Sequence, residues 1–223
     1  MNELFLDVSE RFYSIQGEST RAGLPCLFIR LAGCNLRCGY CDSRYTWEEA
    51  GKKTSLPELL SWTESYPGTM VELTGGEPLL QQEIYPLMDT LLKRGHAILV
   101  ETNGSLPIDR IPESAAVILD IKCPGSEMDS INDWNNIQKL FERSGKGCRD
   151  EVKFVLSSTD DFFWAKDIVT KHRLDQMLSV LFSPNDQSLA PRELAELILR
   201  YKLPVRLQLQ LHRILWPECD RGV

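Results

Sequence analysis

Ala116-Val117-Ile118-Leu119, running on into Asp120-Ile121-Lys122, is a near-continuous apolar segment of strand length. An apolar run without polar alternation suits a strand buried on both faces, as inside a parallel sheet. Working outward, comparable segments recur, and strands are predicted over residues 6–14, 25–31, 69–73, 96–100, 115–121, 151–156, 177–182 and 204–211. Helical patterns fall between them. Residues 56–66 follow Thr54-Ser55, a capping pair, and 79–94 stop at Gly95. Residues 133–144 carry Trp134, Ile137, Leu140 and Phe141 at one-face spacing before Gly145. Residues 160–172 and 191–201 complete the set, the latter opening with Pro in its first turn. Strand–helix alternation predicts α/β architecture, a parallel sheet with helices outside it. The spacing allows roughly six units, fewer than the eight of a closed barrel, so a partial (open) TIM-like β/α barrel is expected, with a doubly wound sheet as the alternative.

The 223 residues fit one domain spanning 1–223, with no repeat or linker dividing it. Apolar residues make up 43% and charged residues 26%, as in a soluble globular chain. With 25 Lys+Arg against 32 Asp+Glu the net charge is −7, which argues against generic nucleic-acid binding. No apolar run reaches membrane-spanning length, and Met1-Asn2-Glu3-Leu4-Phe5 has no basic-then-apolar leader, so a cytoplasmic protein is expected. An odd count of seven cysteines speaks for reduced thiols rather than a disulfide framework.

Three of the seven are clustered in Cys34-Asn-Leu-Arg-Cys38-Gly-Tyr-Cys41, within a loop 33–43 that follows a predicted strand. A structural zinc site wants four ligands, commonly in two pairs. No second pair exists: Cys123, Cys148 and Cys219 are solitary, and His96, His172 and His212 are scattered. Three thiolates fit a [4Fe–4S] cubane with one iron left open. Thr74-Gly75-Gly76-Glu77-Pro78 also follows a strand; it reads as a simple turn or as backbone approaching a ligand closely. Asp120-Ile121-Lys122, Glu101-Thr102-Asn103-Gly104, Ser183-Pro184-Asn185 and Gln210–His212 occupy strand ends too, the face where parallel α/β folds build sites. Arg30, inside Leu27-Phe28-Ile29-Arg30-Leu31, needs either an intramolecular ion pair or a ligand carboxylate for its fork. Gln16 and Glu18 offer donors and acceptors that suit a heterocycle edge, or make an ordinary loop.

The C-x3-C-x2-C loop with Tyr40 before its last cysteine, joined to the Gly-Gly-Glu segment, resembles the radical S-adenosylmethionine superfamily. That resemblance implies a [4Fe–4S] cluster on Cys34, Cys38 and Cys41 whose open iron chelates S-adenosylmethionine. It also implies contacts to this cofactor from Tyr40, Cys41, Asp42, Gly76, Asp120, Ile121 and Lys122, and a flavodoxin- or ferredoxin-type electron donor.

Within that superfamily, Ser14-Ile15-Gln16-Gly17-Glu18-Ser19, Arg30, Cys41-Asp42-Ser43, Thr46-Trp47 and the Gln210–Pro217 tail together resemble the 7-carboxy-7-deazaguanine synthase family. The resemblance implies ring contraction of 6-carboxy-5,6,7,8-tetrahydropterin with loss of ammonia, started by hydrogen abstraction at C6, in queuosine or other 7-deazapurine synthesis. It implies substrate contacts at Ile15, Gln16, Gly17, Glu18, Arg30, Thr74 and Pro217, the last in a tail 212–223 that closes over the substrate. It implies Mg²⁺ at Ser43, where the family carries Thr and a hydroxyl oxygen is retained, and a homodimer. Glu18-Ser19 departs from the family's Glu-Gly, which puts the local turn in question. The competing expectations are a glycyl-radical-enzyme activase and a non-catalytic zinc-binding interaction module.

Overall fold

The computed structural model describes residues 3–144 and 149–223; Gly145 and Cys148 lie outside the described residues. Its strands are β1 (Phe5–Ile15), β2 (Pro25–Leu31), β3 (Lys52–Ser55), β4 (Met70–Gly75), β5 (Ile98–Thr102), β6 (Ala116–Asp120), β7 (Glu151–Leu156), β8 (Ser179–Pro184) and β9 (Arg206–Leu207). The helices are α1 (Tyr45–Glu48), α2 (Leu56–Glu64), α3 (Ile84–Lys93), α4 (Asn135–Ser144), α5 (Thr159–His172), α6 (Pro191–Tyr201) and α7 (Leu211–Leu215). All described strands join one sheet in the order β3-β1-β2-β4-β5-β6-β7-β8-β9. From β2 onward each neighbour is parallel, while β1 runs antiparallel to both β2 and β3. The parallel strands advance one way from β2 to β9 without reversing, while β3 folds back onto the outer edge of β1. A doubly wound sheet needs a reversal to place helices on both faces. Right-handed crossovers that never reverse put the connecting helices α2–α6 on one side, which is the open barrel, while the short α1 and α7 lie at the cavity.

Strand periodicity sorts the two faces. Val71, Leu73, Val100, Val117, Leu119, Val152, Phe154 and Phe182 pack with Leu59, Leu87, Leu91, Leu140, Phe162 and Leu194 of the helices in one buried core. The alternate residues, among them Arg30, Glu72, Thr74, Glu101, Asp120, Lys153 and Ser183, face a cavity on the other side.

Three departures from the sequence expectations have physical causes. The predicted helix 79–94 is a 3-10 turn (Pro78–Leu80) followed by α3. Between them Gln81 is used as a staple, its side chain bonding Asp7 N, Asp7 O and Ala32 O at 2.8, 3.0 and 2.9 Å. Starting at Ile84 also leaves Pro86 in the first turn, where its missing N–H costs nothing. Trp134 does not join the core face of α4; it stays outside, stacked on His172 with ring centroids 5.4 Å apart. The predicted strand 204–211 pairs over Arg206–Leu207 alone, because the chain then crosses to the opposite side, where Leu211 N bonds Gly17 O at 2.9 Å. The edge strand β3 was not anticipated at all. The connection from β5 to β6 carries no α-helix, and Ile108 and Ile111 fill that part of the core.

Candidate functional site

The cavity on the inner face measures about 840 Å³, ample for a cofactor and a small substrate together. Three groups of residues build it. The first is the cluster loop. Cys34, Cys38 and Cys41 all line the cavity as free thiols, with Leu36 N donating to Cys34 Sγ at 3.4 Å. Burial pushes the Cys34 and Cys38 thiols up, so the unligated groups stay protonated. Among the described residues no three His, Cys, Asp or Glu side chains gather closely enough to hold a single metal ion. Thiolates that each ligate a different iron of a cubane need not meet at one point, so this donor set fits the cluster better than a lone zinc.

The Gly-Gly-Glu segment explains how that loop is held. A Cβ at Gly76 would lie 2.2 Å from Gly33 O and 2.6 Å from Cys34 Cβ, so the end of β4 docks directly on the cluster loop. Glu77, fully buried, accepts from Leu79 N, Thr102 Oγ1 and Asn103 N at 3.0, 2.8 and 2.7 Å, tying β4 to β5. Burial nevertheless raises its carboxyl to about 7. Asn103 in turn reaches Asn35 Oδ1 at 3.1 Å and Cys34 Sγ at 3.9 Å. The sequence left this segment as a simple turn or as backbone approaching a ligand; here both glycines line the cavity and also pack closely on protein, Gly75 on Leu31 and Gly76 on Gly33 and Cys34.

The second group lies past β6. Lys122 Nζ pairs with Asp120 Oδ2 at 2.7 Å, and Tyr40 Oη donates to Val155 O at 3.3 Å. Asp120 Oδ1 is buried with no hydrogen-bond partner, an acceptor that a ribose hydroxyl would satisfy, so this rim fits S-adenosylmethionine. Tyr40, Asp42, Gly76, Asp120 and Lys122 line the cavity. Ile121 does not: its side chain is in the hydrophobic core, because alternation turns it away from its neighbours.

The third group is the polar wall. Arg30 Nε donates to Glu10 Oε1 at 2.8 Å, and Tyr45 Oη reaches the same oxygen at 2.8 Å. The intramolecular ion pair is thus present, yet it uses only Nε and leaves the terminal nitrogens of the fork without a hydrogen bond among the described residues. Gln16 Nε2 donates to Glu72, Lys153 Nζ binds Glu18 and also Glu101 at 2.9 Å, and Thr74 Oγ1 reaches Glu101 at 3.2 Å. Burial first, then the Glu101 charge, pushes Glu72 up to about 8. Burial acts to raise Glu101 as well, but Lys153 outweighs it and holds that carboxylate low. Ile15, Gln16, Gly17, Glu18, Arg30, Thr74 and Pro217 all line this cavity.

The C-terminal segment closes the far side. Gln210 Nε2 donates to Glu18 at 2.8 Å and to Asp42 at 3.2 Å, Ser43 Oγ donates to Asp42 at 3.0 Å, and Arg221 forks onto Glu49 at 2.6 and 3.0 Å. A Cβ at Gly17 would stand 2.3 Å from His212 Nδ1, so the tail packs on the Gln16–Glu18 turn. That turn contains Ser19 at φ 66°, a left-handed conformation that glycine adopts freely, with Ser19 Oγ accepting from Arg21 N at 2.9 Å. Sequence reasoning missed Glu10, Tyr45, Glu72 and Lys153. Glu72 and Lys153 carried the same signal as Arg30, a charge inside an apolar strand, in Val71-Glu72-Leu73 and Val152-Lys153-Phe154. Cys26 and Cys123 are fully buried packing thiols, whereas Cys219 is exposed at the cavity edge.

An open β/α barrel with a three-cysteine loop at its mouth defines a radical S-adenosylmethionine protein, and the superfamily model of that name matches residues 28–132. Two relatives cover nearly the whole chain: 7-carboxy-7-deazaguanine synthase from Chlorobaculum tepidum is 43% identical over 98% of this chain and 97% of its own. The protein of the same name from Koribacter versatilis is 38% identical over 98% and 100%. The chain belongs to the 7-carboxy-7-deazaguanine synthase family. The crystal structure of QueE from Escherichia coli shares the fold, with a TM-score of 0.74 at 24% identity over 93% of this chain and 95% of that one. These relatives favour neither the glycyl-radical-enzyme activase nor the zinc-binding module. Among the described residues no helix is long and apolar enough to cross a membrane.

Proposed function

We propose that the chain, acting as one radical S-adenosylmethionine domain over residues 1–223, converts 6-carboxy-5,6,7,8-tetrahydropterin to 7-carboxy-7-deazaguanine with loss of ammonia, for queuosine or another 7-deazapurine. The observation that carries this reading is the meeting of the cysteine loop with a charged, partly unsatisfied wall in one cavity. Cys34, Cys38 and Cys41 would hold a [4Fe–4S] cluster, with Tyr40, Asp42, Gly76, Asp120 and Lys122 against S-adenosylmethionine. When bound, cluster and cofactor supply a 5′-deoxyadenosyl radical that abstracts hydrogen from the substrate.

The protein's own part is binding, orientation and exclusion of water. The open end of the Arg30 fork receives the substrate carboxylate, since a planar guanidinium matches it in a paired geometry. Gln16, Glu18 and Thr74 meet the polar ring edge; Ile15 and Gly17 provide a close, unhindered floor. The tail with His212 and Pro217 closes the cavity against solvent. Ser43 and Asp42 offer hard oxygens at the mouth, which suits Mg²⁺. A flavodoxin- or ferredoxin-type donor, a cytoplasmic setting that keeps the thiols reduced, and a homodimer complete the reading. The exposed Leu199, Leu207 and Leu209 near the β9 edge support the dimer.

The test is anaerobic reconstitution followed by incubation with the carboxytetrahydropterin, S-adenosylmethionine and a reductant, with the product identified by mass and absorbance. 7-Carboxy-7-deazaguanine supports the reading; its absence from a protein with a full cluster overturns it. Arg30→Ala is expected to raise the substrate KM roughly tenfold to hundredfold, the scale of a lost charge-assisted pair. An unchanged KM removes Arg30 from the wall.

A further inference from the structure

Loop 16–24 connects β1 to β2 at one side of the sheet, yet it is tied to β7, with β2, β4, β5 and β6 standing between. The ties come from two residues that share the inner face of β7. Glu151 accepts from Thr20 N at 3.0 Å, from the Thr20 hydroxyl, and from Arg21 Nη1 at 2.6 Å. Lys153, two residues on, binds Glu18 across the cavity while holding Glu101 of β5 at 2.9 Å. Glu151 is 1% exposed and Lys153 7%. An ammonium buried to that degree is tolerated only where carboxylates compensate its lost hydration, so Lys153 sits here for its charge rather than its packing.

We propose that Lys153 is a positioning residue of the substrate wall: reaching across the open barrel, it holds Glu18 where loop 16–24 presents it to the pterin. The inference rests on the reading of Glu18 as a substrate contact. Glu18 needs such an anchor because its own turn is strained at Ser19, and its remaining side-chain partner, Gln210, comes from the tail. Glu151 fixes the backbone of the loop, and Lys153 fixes the direction of the carboxylate. Released from Lys153, Glu18 would swing away, which removes an acceptor from the ring edge. Arginine at 153 keeps the charge with a longer reach, so it restores binding where a neutral residue does not.

The experiment is a double-mutant cycle on the full-length protein, reading the equilibrium Kd of 6-carboxy-5,6,7,8-tetrahydropterin together with kcat and KM. Lys153→Met is expected to raise Kd and KM roughly tenfold to hundredfold, with kcat at saturation falling much less, and Lys153→Arg to recover most of the loss. In a Glu18→Gln background the further Lys153→Met change is expected to cost no more than about twofold, since Lys153 then has no charge at 18 to hold. Unchanged pterin binding in Lys153→Met, or losses that simply add, overturns the proposal. Should Lys153→Met fail to fold, Glu18→Gln/Glu101→Gln/Lys153→Met leaves no carboxylate orphaned at either site and is compared with its two-substitution parent. There, a tenfold difference between the two overturns the proposal, and near-equality supports it. If Glu18→Gln alone leaves binding intact, the wall assignment itself is at fault; if Glu18→Gln weakens binding and Lys153→Met does not, only this inference fails.

Discussion

The two faces of the sheet are built from the same strands and differ in almost everything else. On β7, Val152 and Phe154 are fully buried among helix residues, while on the inner face Lys153 carries charge into the cavity and Glu151 binds Thr20 and Arg21 of loop 16–24. On β4, Val71 and Leu73 belong to the core, and Glu72 and Thr74 to the wall. The outer face gains from non-directional burial and tolerates no void. The inner face is a set of charges that compensate one another in pairs and leave selected atoms unsatisfied: the Arg30 fork and Asp120 Oδ1. What the difference teaches is that one strand can serve stability and chemistry at once, because adjacent residues never share an environment.

Substitutions that act on one face and spare the other test that division. The largest effect is expected at the mouth: Cys38→Ser should abolish the brown chromophore after anaerobic reconstitution and bring turnover to background. A variant retaining full iron, sulfide and product formation would break the assignment of the loop. Next comes the outer face, where Phe154→Ala should cost ~3–5 kcal/mol of stability in urea unfolding, the usual toll of an aromatic removed from a packed core. A cost below about 1 kcal/mol would mean this face is not the stabilising one.

Glu72→Gln should act oppositely. Burial raises this carboxyl to about 8, well above the unfolded value near ~4.3, so the folded state holds an extra proton. Its contribution to stability is intact below the unfolded value and is lost as pH climbs toward about 8. The Gln variant cannot ionise, so its stability relative to the parent should grow between pH 5 and pH 8, read as the shift in urea midpoints. A constant difference would place an ionised Glu72 in the folded wall. The smallest effect belongs to the turn that carries Glu18: Ser19→Gly relieves a left-handed backbone and should stabilise by roughly 0.5–1 kcal/mol in the same assay, after the loss of the Ser19 Oγ bond is counted. Destabilisation would show that this bond outweighs the strain.

Much of the fold was legible because its signals are local. Pro25–Leu31 and Glu151–Leu156 coincide with their predicted bounds, since short segments rich in apolar β-formers between turn residues favour a strand, the charges Arg30, Glu151 and Lys153 notwithstanding. Helix α6 was likewise bounded by Pro191 and Tyr201. β3 escaped notice because Lys52-Lys53-Thr54-Ser55 has no apolar pattern; it is a strand only because β1 offers it a partner. The late start of α3 was equally hidden, since Gln81 is diverted by Asp7 and Ala32, which are remote in sequence. In the site, the cysteine spacing and Arg30 were visible as anomalies within short windows. Glu72 and Lys153 were anomalies of the same kind, but their meaning depends on which groups face them from other strands.

The sequence by itself determined the class of chemistry. Three thiols within one short loop, a Gly-Gly-Glu strand end and a guanidinium in an apolar strand are compositional facts that no packing can alter. Tertiary structure decided how those parts are used. It set Gly75 against Leu31 and Gly76 against the cluster loop, gave Arg30 Nε to Glu10, buried Ile121 away from the cavity and brought Lys153 across the barrel to Glu18. The physical reason is range. Propensity and spacing act over a few residues, whereas burial and charge compensation are settled by whichever side chains the curved, open sheet brings within contact.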